Sequence, residues 1–281
     1  MPGAEAAARL LPRLRHPRVA SARRHLRLAV DLAARDIRDR YAGAAIGPLW
    51  LLVTPAVYLL MYWLVFGQLL RVGWPPGAPG EPSPGFLLPF FCGLVLYLFM
   101  TDLVISSTDV FQRRRDYVRR APFPLWVLWL ANLLRTATPA AAGLLLLLVL
   151  ALAQGRLGVT GLAWTPVALG ASLLFLAALS LCLTMLGPFL GDLQEVLRLV
   201  ARALFYAGPI AYPLAIVPEQ VRALMWLNPL THMAEMLRGA LVYGQGPQVL
   251  PFLGFLLATA LLLALAAFLY RRVVGAVADV V

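Results

Sequence analysis

Residues 35–67 read RDIRDRYAGAAIGPLWLLVTPAVYLLMYWLVFG, and this stretch decides the fold. It begins with charged residues and passes through a turn of small residues that ends at Pro48. An apolar run without an ionisable side chain then extends from Leu49 to Leu70. At about 1.5 Å per residue, a helix of that length measures about 33 Å, and a hydrocarbon layer is about 30 Å thick. The stretch therefore predicts a surface helix, a sharp corner and a membrane-spanning helix.

Composition extends this prediction to the whole chain. Of 281 residues, 61% are hydrophobic and only 13% are charged, whereas about a quarter of a soluble domain is charged. The 24 basic residues are all arginine, and the formal net charge is +11. Because these arginines flank apolar runs instead of lining one face, nucleic-acid binding explains them poorly. The chain is predicted to be an all-α integral membrane protein.

Hydropathy outside the opening stretch divides the chain into a tail, a surface helix and six spans. Residues 1–24 lack sustained periodicity and are expected to form a mobile cytoplasmic tail. Residues 25–47 have apolar positions at helical spacing, which is typical of an amphipathic helix in the membrane interface; packing on a soluble domain is the alternative. The six-span domain is expected at 48–272 and a cytoplasmic C-terminus at 273–281. Spans are expected at 49–70, 86–106, 125–153, 166–190, 199–216 and 249–270.

The segment from Val217 to Gln248 does not fit the pattern of a span. It is apolar in patches, carries several ionisable residues and is interrupted at Asn228 and Pro229. It is too polar to cross a bilayer and too apolar for a free loop. Two short re-entrant helices that enter the bilayer part-way from the outer side are therefore expected between spans 5 and 6.

The distribution of arginine predicts the orientation. With six spans and both termini in the cytoplasm, the cytoplasmic side holds 19 arginines, counting Arg202 in the first turn of the fifth span, and the outer segments hold four. Arg135 lies within a span. Such an excess follows the positive-inside rule for membrane proteins.

The sequence argues against catalysis on this chain. It contains no lysine, so a G-x-x-x-x-G-K-[ST] phosphate-binding loop is absent. His16, His25 and His232 are too far apart in sequence for a metal cluster, and no serine nucleophile with a placed base is visible. Cys92 and Cys182 lie in apolar runs and are expected to be buried thiols. No cofactor or metal is expected. The alternative to a chain without catalytic activity is a membrane-embedded enzyme that acts on a polyprenyl phosphate.

Four motifs occur in order along the chain: RYAGAAIGPLW at 40–50, APFPLW at 121–126, GPIAYP at 208–213 and LNPLTHMAEMLRG at 227–239. Together they resemble type 2 ABC exporter permeases, most closely the branch that exports lipid-linked polysaccharide, O-antigen and teichoic acid. The resemblance implies an inner-membrane homodimer with two separate ATPase subunits that bind ATP and magnesium. It implies a polyprenyl-diphosphate-linked glycan as substrate; a permease for a small lipid or drug is the alternative. Gly191 before Asp192 departs from many relatives, which carry an arginine there.

The resemblance assigns roles to residues at both sides of the membrane. The loop after the second span is similar to a coupling helix that contacts the ATPase, although its arginines are also explained by topology alone. Its candidate contacts are Arg113, Arg114, Arg115, Tyr117, Arg119, Arg120 and Phe123. The outer gate is expected at Tyr212, Asn228, Pro229, Glu235 and Arg238. Because Glu235 and Arg238 are three residues apart on a helix, a local ion pair is favoured over a substrate contact.

Residues within the spans are candidates for the substrate path. Sugars stack on aromatic faces, although packing against lipid is the simpler explanation for any single aromatic residue. The aromatic candidates are Tyr58, Tyr62, Trp63, Phe66, Phe91 and Tyr97. Arg135 is expected to pair with Asp102 or to meet the substrate diphosphate, and snorkelling to the interface is the competing interpretation.

Overall fold

A computed structural model describes residues 17–75, 85–120 and 124–280, and within these ranges all regular structure is helical. The first half contains α1 (Pro17–Tyr41), α2 (Trp50–Tyr62), α3 (Leu87–Ser107), α4 (Arg115–Arg120) and α5 (Trp126–Ala153). The second half contains α6 (Val159–Leu186), α7 (Leu193–Tyr206), α8 (Glu219–Met225), α9 (Pro229–Leu241), α10 (Val249–Val273) and α11 (Val277–Val280). The predicted all-α class is confirmed.

The corner that the opening stretch predicts separates α1 from α2. Gly43 and Gly47 have φ angles of 80° and 51°, in the left-handed region that glycine enters at little cost. A 3₁₀ turn at Gly47–Leu49 leads into α2, and π-helical turns at Trp63–Leu69 continue it. The result is one helix of membrane length, Gly47–Leu69.

α1 packs along α5 by a narrower face than the sequence predicts. Its buried residues are Ala29, Leu32 and Ala33, whereas Leu26 and Val30 are 48% and 54% exposed. The helix begins at Pro17, within the segment expected to be a tail, and residues 1–16 lie outside the described part. Small buried side chains let the two helices approach closely, so α1 is held by packing as well as by its amphipathic character.

Five helices in the described ranges are long and apolar enough to cross a membrane. They are Gly47–Leu69, Leu87–Ser107, Trp126–Ala153, Val159–Phe189 and Val249–Val273. Four of the predicted spans match these closely, while the fourth begins at Val159, earlier than the expected 166. Ser107 of α3, Arg115 of α4 and Trp126 of α5 lie at one end of the bundle, here named the basic end. The other end, which carries Pro89, is named the opposite end.

The expected fifth span at 199–216 is wrong as a continuous helix. α7 begins earlier, at Leu193, and ends at Tyr206 after 14 residues, or about 21 Å. An irregular segment, 207–213, follows it. Pro209 and Pro213 lack the amide hydrogen that a continuing helix needs, which accounts for the early end.

The chain nevertheless crosses the height of the bundle between α6 and α10. Phe175 lies against Phe255, and Cys182 Sγ is 3.8 Å from the carbonyl oxygen of Leu262. Both partners advance by seven residues, so α6 and α10 run parallel. Two parallel helices require the chain to return between them. α7 and the bend at 207–213 make that return.

α8 and α9 form a hairpin that enters and leaves at the opposite end. At the turn between α8 and α9, Asn228 Nδ2 donates to the carbonyl oxygen of Leu204 at 2.9 Å. The next residue, Phe205, packs on Tyr97 of α3. Further along α9, Arg238 Nε donates to the carbonyl oxygen of Pro89 at 2.7 Å. Eight residues of α3 separate these two levels, or about 12 Å. α9 therefore rises from the middle of α3 towards the opposite end.

α3 is the central helix, because most of its side chains are buried while α2 and α10 expose most of theirs. The helices approach most closely at two glycines. A Cβ on Gly187 would lie 1.9 Å from the carbonyl oxygen of Thr108, and one on Gly161 would lie 2.5 Å from that of Ala240. These contacts fix the end of α6 against the end of α3, and the start of α6 against α9.

Candidate functional site

A cavity of about 620 Å³ opens at the basic end, between α1, the end of α3, the loop around α4 and the start of α5. Charged side chains dominate its lining: Arg35, Asp36, Asp39, Arg40, Asp102, Asp109, Arg113, Arg114 and Arg135. Because both signs are present, most of the charge is compensated by ion pairs, two of them local and three between different segments. This is the densest group of charged residues in the described structure.

The loop predicted to couple to an ATPase is tied to the rest of the protein by two arginines. Arg113 Nη2 donates to the carbonyl oxygen of Ser106 at 2.7 Å and lies 2.9 Å from Asp109 Oδ1. Arg114 pairs with Asp36 of α1 and is largely buried. A cation near the last carbonyls of α3 is favourable because the helix C-terminus carries partial negative charge. The loop is therefore fastened to α1 and α3 together.

The other predicted contacts of this loop differ in their exposure. Arg115 and Tyr117 are exposed, while Val118 between the arginines is buried against α1 and Phe111. The side chains of Arg119 and Arg120, and all of Phe123, lie outside the described part of the chain. Thus Val118 of α4 faces inward while Arg115 and Tyr117 face outward.

Asp109 is the half-buried acid of the basic end. Burial raises the pKa of its carboxyl above the usual range, although Arg113 acts in the other direction. Burial therefore destabilises the ionised carboxylate of Asp109, and Arg113 stabilises it.

Arg135 pairs with Asp102, as the sequence predicted, but at the limit of ion-pair distance. Its Nη2 lies 3.8 Å from Asp102 Oδ1 and donates to Asn132 Oδ1 at 3.1 Å. Asn132 Nδ2 in turn donates to Ser106 Oγ at 3.1 Å, which links α5 to α3. Arg40 Nη1 approaches Asp102 Oδ2 at 3.4 Å. No local pattern predicts the role of Arg40, which is 62 residues from its partner.

Three of the predicted aromatic path residues, Tyr62, Phe66 and Tyr97, pack on other aromatic rings. Ring centroids are 5.1 Å apart for Tyr62 and Phe90, 5.8 Å for Tyr62 and Phe205, and 4.7 Å for Tyr97 and Phe205. Phe66 stacks on Phe86, and Trp63 lies against Gly67. These contacts join α2, α3 and α7 into one aromatic cluster.

Two of the aromatic path residues stand apart from this cluster. Phe91 is fully buried in the core, so in this conformation it lines no path. Tyr58 is 39% exposed and lines a second cavity of about 630 Å³ between α2, α3 and α5. That cavity is mainly apolar and shares Arg40 and Asp102 with the cavity at the basic end.

Arg238 forms a buried cluster at the opposite end. It has no exposed surface, and its Nη1 donates to Glu235 Oε1 at 2.6 Å, so the predicted local ion pair is present. Nε donates to the carbonyl oxygen of Pro89 at 2.7 Å and Nη2 to that of Ile210 at 3.0 Å. The guanidinium also lies 4.9 Å from the ring centroid of Trp74. One side chain thus joins α9, α3, the bend after α7 and the segment after α2.

The remaining predicted gate residues shape the start of α9 and the bend before it. Asn228 is the N-cap of α9, since its Oδ1 accepts from the amide of Leu230 at 2.9 Å, and Pro229 occupies the first turn. Tyr212 donates its hydroxyl to the carbonyl oxygen of Tyr206 at 2.8 Å, which closes the bend. In the described ranges, no three His, Cys, Asp or Glu side chains are grouped to hold a metal ion.

Comparison with known proteins points to one family. The family model described as "ABC-2 type transporter" matches residues 30–242. The O-antigen export system permease protein RfbA of Myxococcus xanthus is 28% identical over 208 residues, which cover 73% of this chain and 76% of that protein. The polysialic acid transport protein KpsM of Escherichia coli is 24% identical over 214 residues, 76% of this chain and 80% of that protein. An RfbA of Klebsiella pneumoniae is 22% identical over 207 residues, 73% of this chain and 76% of that protein.

Proposed function

The chain belongs to the ABC-2 type transporter family, and we propose that it is the permease subunit of an exporter for lipid-linked polysaccharide. It is a multi-pass membrane protein and a transporter membrane subunit. The observation that carries the proposal is its similarity, over about three quarters of its length, to permeases named for export of O-antigen and polysialic acid. The matched region, 30–242, contains both ends of the bundle described above.

Energy is supplied by a separate ATP-binding subunit. This chain has no lysine and hence no phosphate-binding loop of the lysine type. In the proposal ATP and magnesium bind to the partner, which docks at the basic end against the outward face of α4. Movement of α4 then passes to α1 through the pair of Arg114 and Asp36, and to α3 through Arg113.

The conduit lies between two copies of the chain, each with its own ATPase partner. A single copy exposes long apolar faces on α2, α7 and α10, which lipid or a second copy must cover. In the proposal the protein lies in the inner membrane with both termini in the cytoplasm, the orientation that the positive-inside rule favours for its arginine-rich segments. The α8–α9 hairpin at the opposite end is the outer gate, held shut by the cluster around Arg238.

The substrate is a glycan on a polyprenyl diphosphate. The aromatic cluster of α2, α3 and α7 offers rings to sugars once the helices separate. A channel between subunits suits a long chain better than the cavities within one subunit, which measure about 620 and 630 Å³.

Transport by inside-out vesicles tests this function. Vesicles that contain the permease and its ATPase partner are supplied with a labelled polyprenyl-diphosphate-linked glycan, and glycan that becomes protected from a glycosidase is measured. We expect protection only with ATP and with the partner. Protection of a small lipid but not of the glycan would contradict the proposed substrate. Chemical conversion of the lipid by the permease alone would contradict the transporter role.

A further inference from the structure

The charges that line the basic cavity balance everywhere except at one place. Among the described residues, Arg35 pairs with Asp39, Arg114 with Asp36 and Arg113 with Asp109. Asp102 instead serves two arginines, Arg40 at 3.4 Å and Arg135 at 3.8 Å.

Both of these contacts to Asp102 are long for charge-assisted hydrogen bonds, which are about 2.7–2.9 Å, and so is the Arg35–Asp39 contact at 3.7 Å. What sets this point apart is the count: five arginines and four aspartates line the cavity, so one positive charge has no matching acid here, at what is named the Asp102 junction. The junction comprises Arg40, Asp102 and Arg135.

The Asp102 junction is also where the basic cavity meets the apolar one. Arg40 and Asp102 line both cavities. From the junction the apolar cavity of about 630 Å³ extends along α2, α3 and α5. Apolar side chains that line it include Trp50, Leu51, Val95, Leu98 and Ala140. A volume of this size lies within the range of about 300–1,000 Å³ that holds bound small molecules.

We propose that the Asp102 junction and the apolar cavity bind one phosphate-bearing lipid. The phosphate accepts hydrogen bonds from Arg40 and Arg135 and supplies the missing negative charge. The hydrocarbon chain occupies the apolar cavity, where burial of apolar surface is favourable. A free phosphate would leave the apolar cavity unfilled, and a neutral lipid would leave the charge uncompensated.

Two sources supply this chemistry. One is the polyprenyl phosphate group of the carrier lipid, and that source rests on the proposed function. The other is a phospholipid of the bilayer, which requires no assumption about transport. In both cases the lipid enters a site within one subunit, apart from the conduit between subunits.

Native mass spectrometry of the permease with its ATPase partner tests the site. The delipidated complex is titrated with three probes: a long-chain polyprenyl phosphate, phosphatidylglycerol and diacylglycerol. We expect one lipid per permease chain for a phosphate-bearing probe and about tenfold weaker retention of diacylglycerol, which has the tails but no phosphate. Preference between the first two probes identifies the source.

Substitutions that remove single charges test whether the charge of the site, and not the fold as a whole, determines lipid binding. Arg40→Gln, at a half-exposed position, and Arg135→Gln are each expected to weaken binding about tenfold. Asp102→Asn is expected to strengthen binding, since it removes the competing acid. Arg35→Gln is the matched control, because Arg35 lines the same cavity but is paired with Asp39. Arg35→Gln should leave retention unchanged.

The contrary outcomes are equally specific. Equal retention of diacylglycerol and the phosphate lipids would overturn the proposal, as would equal losses in Arg40→Gln and Arg35→Gln. Ala140→Phe fills the apolar cavity; if it left retention unchanged, the tail would lie elsewhere. Glycan export in vesicles is measured in parallel, so failure of lipid binding with intact export refutes this site and leaves the proposed function standing.

Discussion

The two ends of the bundle use arginine in opposite ways. At the basic end, Arg40 and Arg135 approach Asp102 at 3.4 and 3.8 Å beside an open cavity. At the opposite end, Arg238 is fully buried and makes three hydrogen bonds of 2.6 to 3.0 Å. Long, partly solvated contacts rearrange at small cost, whereas a buried guanidinium that is hydrogen-bonded through all three nitrogens resists separation from its partners. In the proposed mechanism, the adjustable end receives force and the closed end must be opened.

The largest expected effect follows from removing Arg238. Arg238→Met leaves Glu235 without its partner and two carbonyl oxygens, of Pro89 and Ile210, without a donor. Loss of one partner from a buried pair costs about 3–5 kcal/mol. Thermal unfolding of the purified permease should therefore show a large drop in stability.

Arg198→Ala is the control for this prediction. Arg198 also pairs with a glutamate three residues away, but both side chains are exposed, so the expected loss is below about 1 kcal/mol. Equal losses for the two variants would remove the distinction between the ends.

Two glycine substitutions compare packing at the ends directly. Gly187→Ala places a Cβ 1.9 Å from the carbonyl oxygen of Thr108, and Gly161→Ala places one 2.5 Å from that of Ala240. Overpacking of this kind costs about 1–3 kcal/mol, with the larger loss expected at Gly187. Gly191→Ala, which meets nothing within 4 Å, should be nearly neutral in the same unfolding measurement. A neutral Gly187→Ala would show that α6 and α3 separate freely.

The pair of Arg114 and Asp36 is expected to affect coupling more than stability. Arg114→Gln or Asp36→Asn should lower ATP-driven glycan export several-fold while the ATPase partner still binds. A double-mutant cycle measured on glycan export should give an interaction energy of about 0.5–3 kcal/mol between the two residues, because they connect α4 with α1. Additive losses in the cycle would mean that the pair transmits nothing.

The smallest effect concerns the pH dependence of Asp109. Burial raises the pKa of its carboxyl in the folded state, so its contribution to stability is full below the unfolded pKa and is lost as pH rises through the folded value. In Asp109→Asn that loss should disappear. This loss is measured as the difference in the free energy of unfolding between the two proteins at pH values just above the ordinary aspartate pKa of about 3.9. Parallel curves would show that Asp109 is not desolvated.

The sequence predicts the parts of this fold that depend on neighbouring residues. The corner at Gly43–Pro48, five apolar helices and the interruption at Asn228 follow from local spacing and composition. The fifth span was wrong as a continuous helix because length and hydropathy alone do not show that α7 stops at Tyr206 and that a bend completes the passage. At that point Pro209 and Pro213 end the helix although the sequence remains apolar.

Long-range contacts explain what the sequence missed in the candidate sites. Arg238 and Glu235 were predictable as neighbours on one helix, but Pro89, Trp74 and Ile210 reach Arg238 only through tertiary packing. The same holds for Asp36 and Arg114, which are 78 residues apart. No local pattern distinguishes an arginine that fixes topology from one that joins two helices.

Hydrogen exchange during transport tests the central claim, that force received at the basic end opens the α8–α9 hairpin. The complete exporter is compared at rest and during ATP-driven glycan export, and exchange is read in peptides that cover α9 and α4. We predict that the amides of α9 are strongly protected at rest and exchange faster during export, while α4 changes little. If α9 stays equally protected throughout active export, the hairpin is not the gate and the account is contradicted.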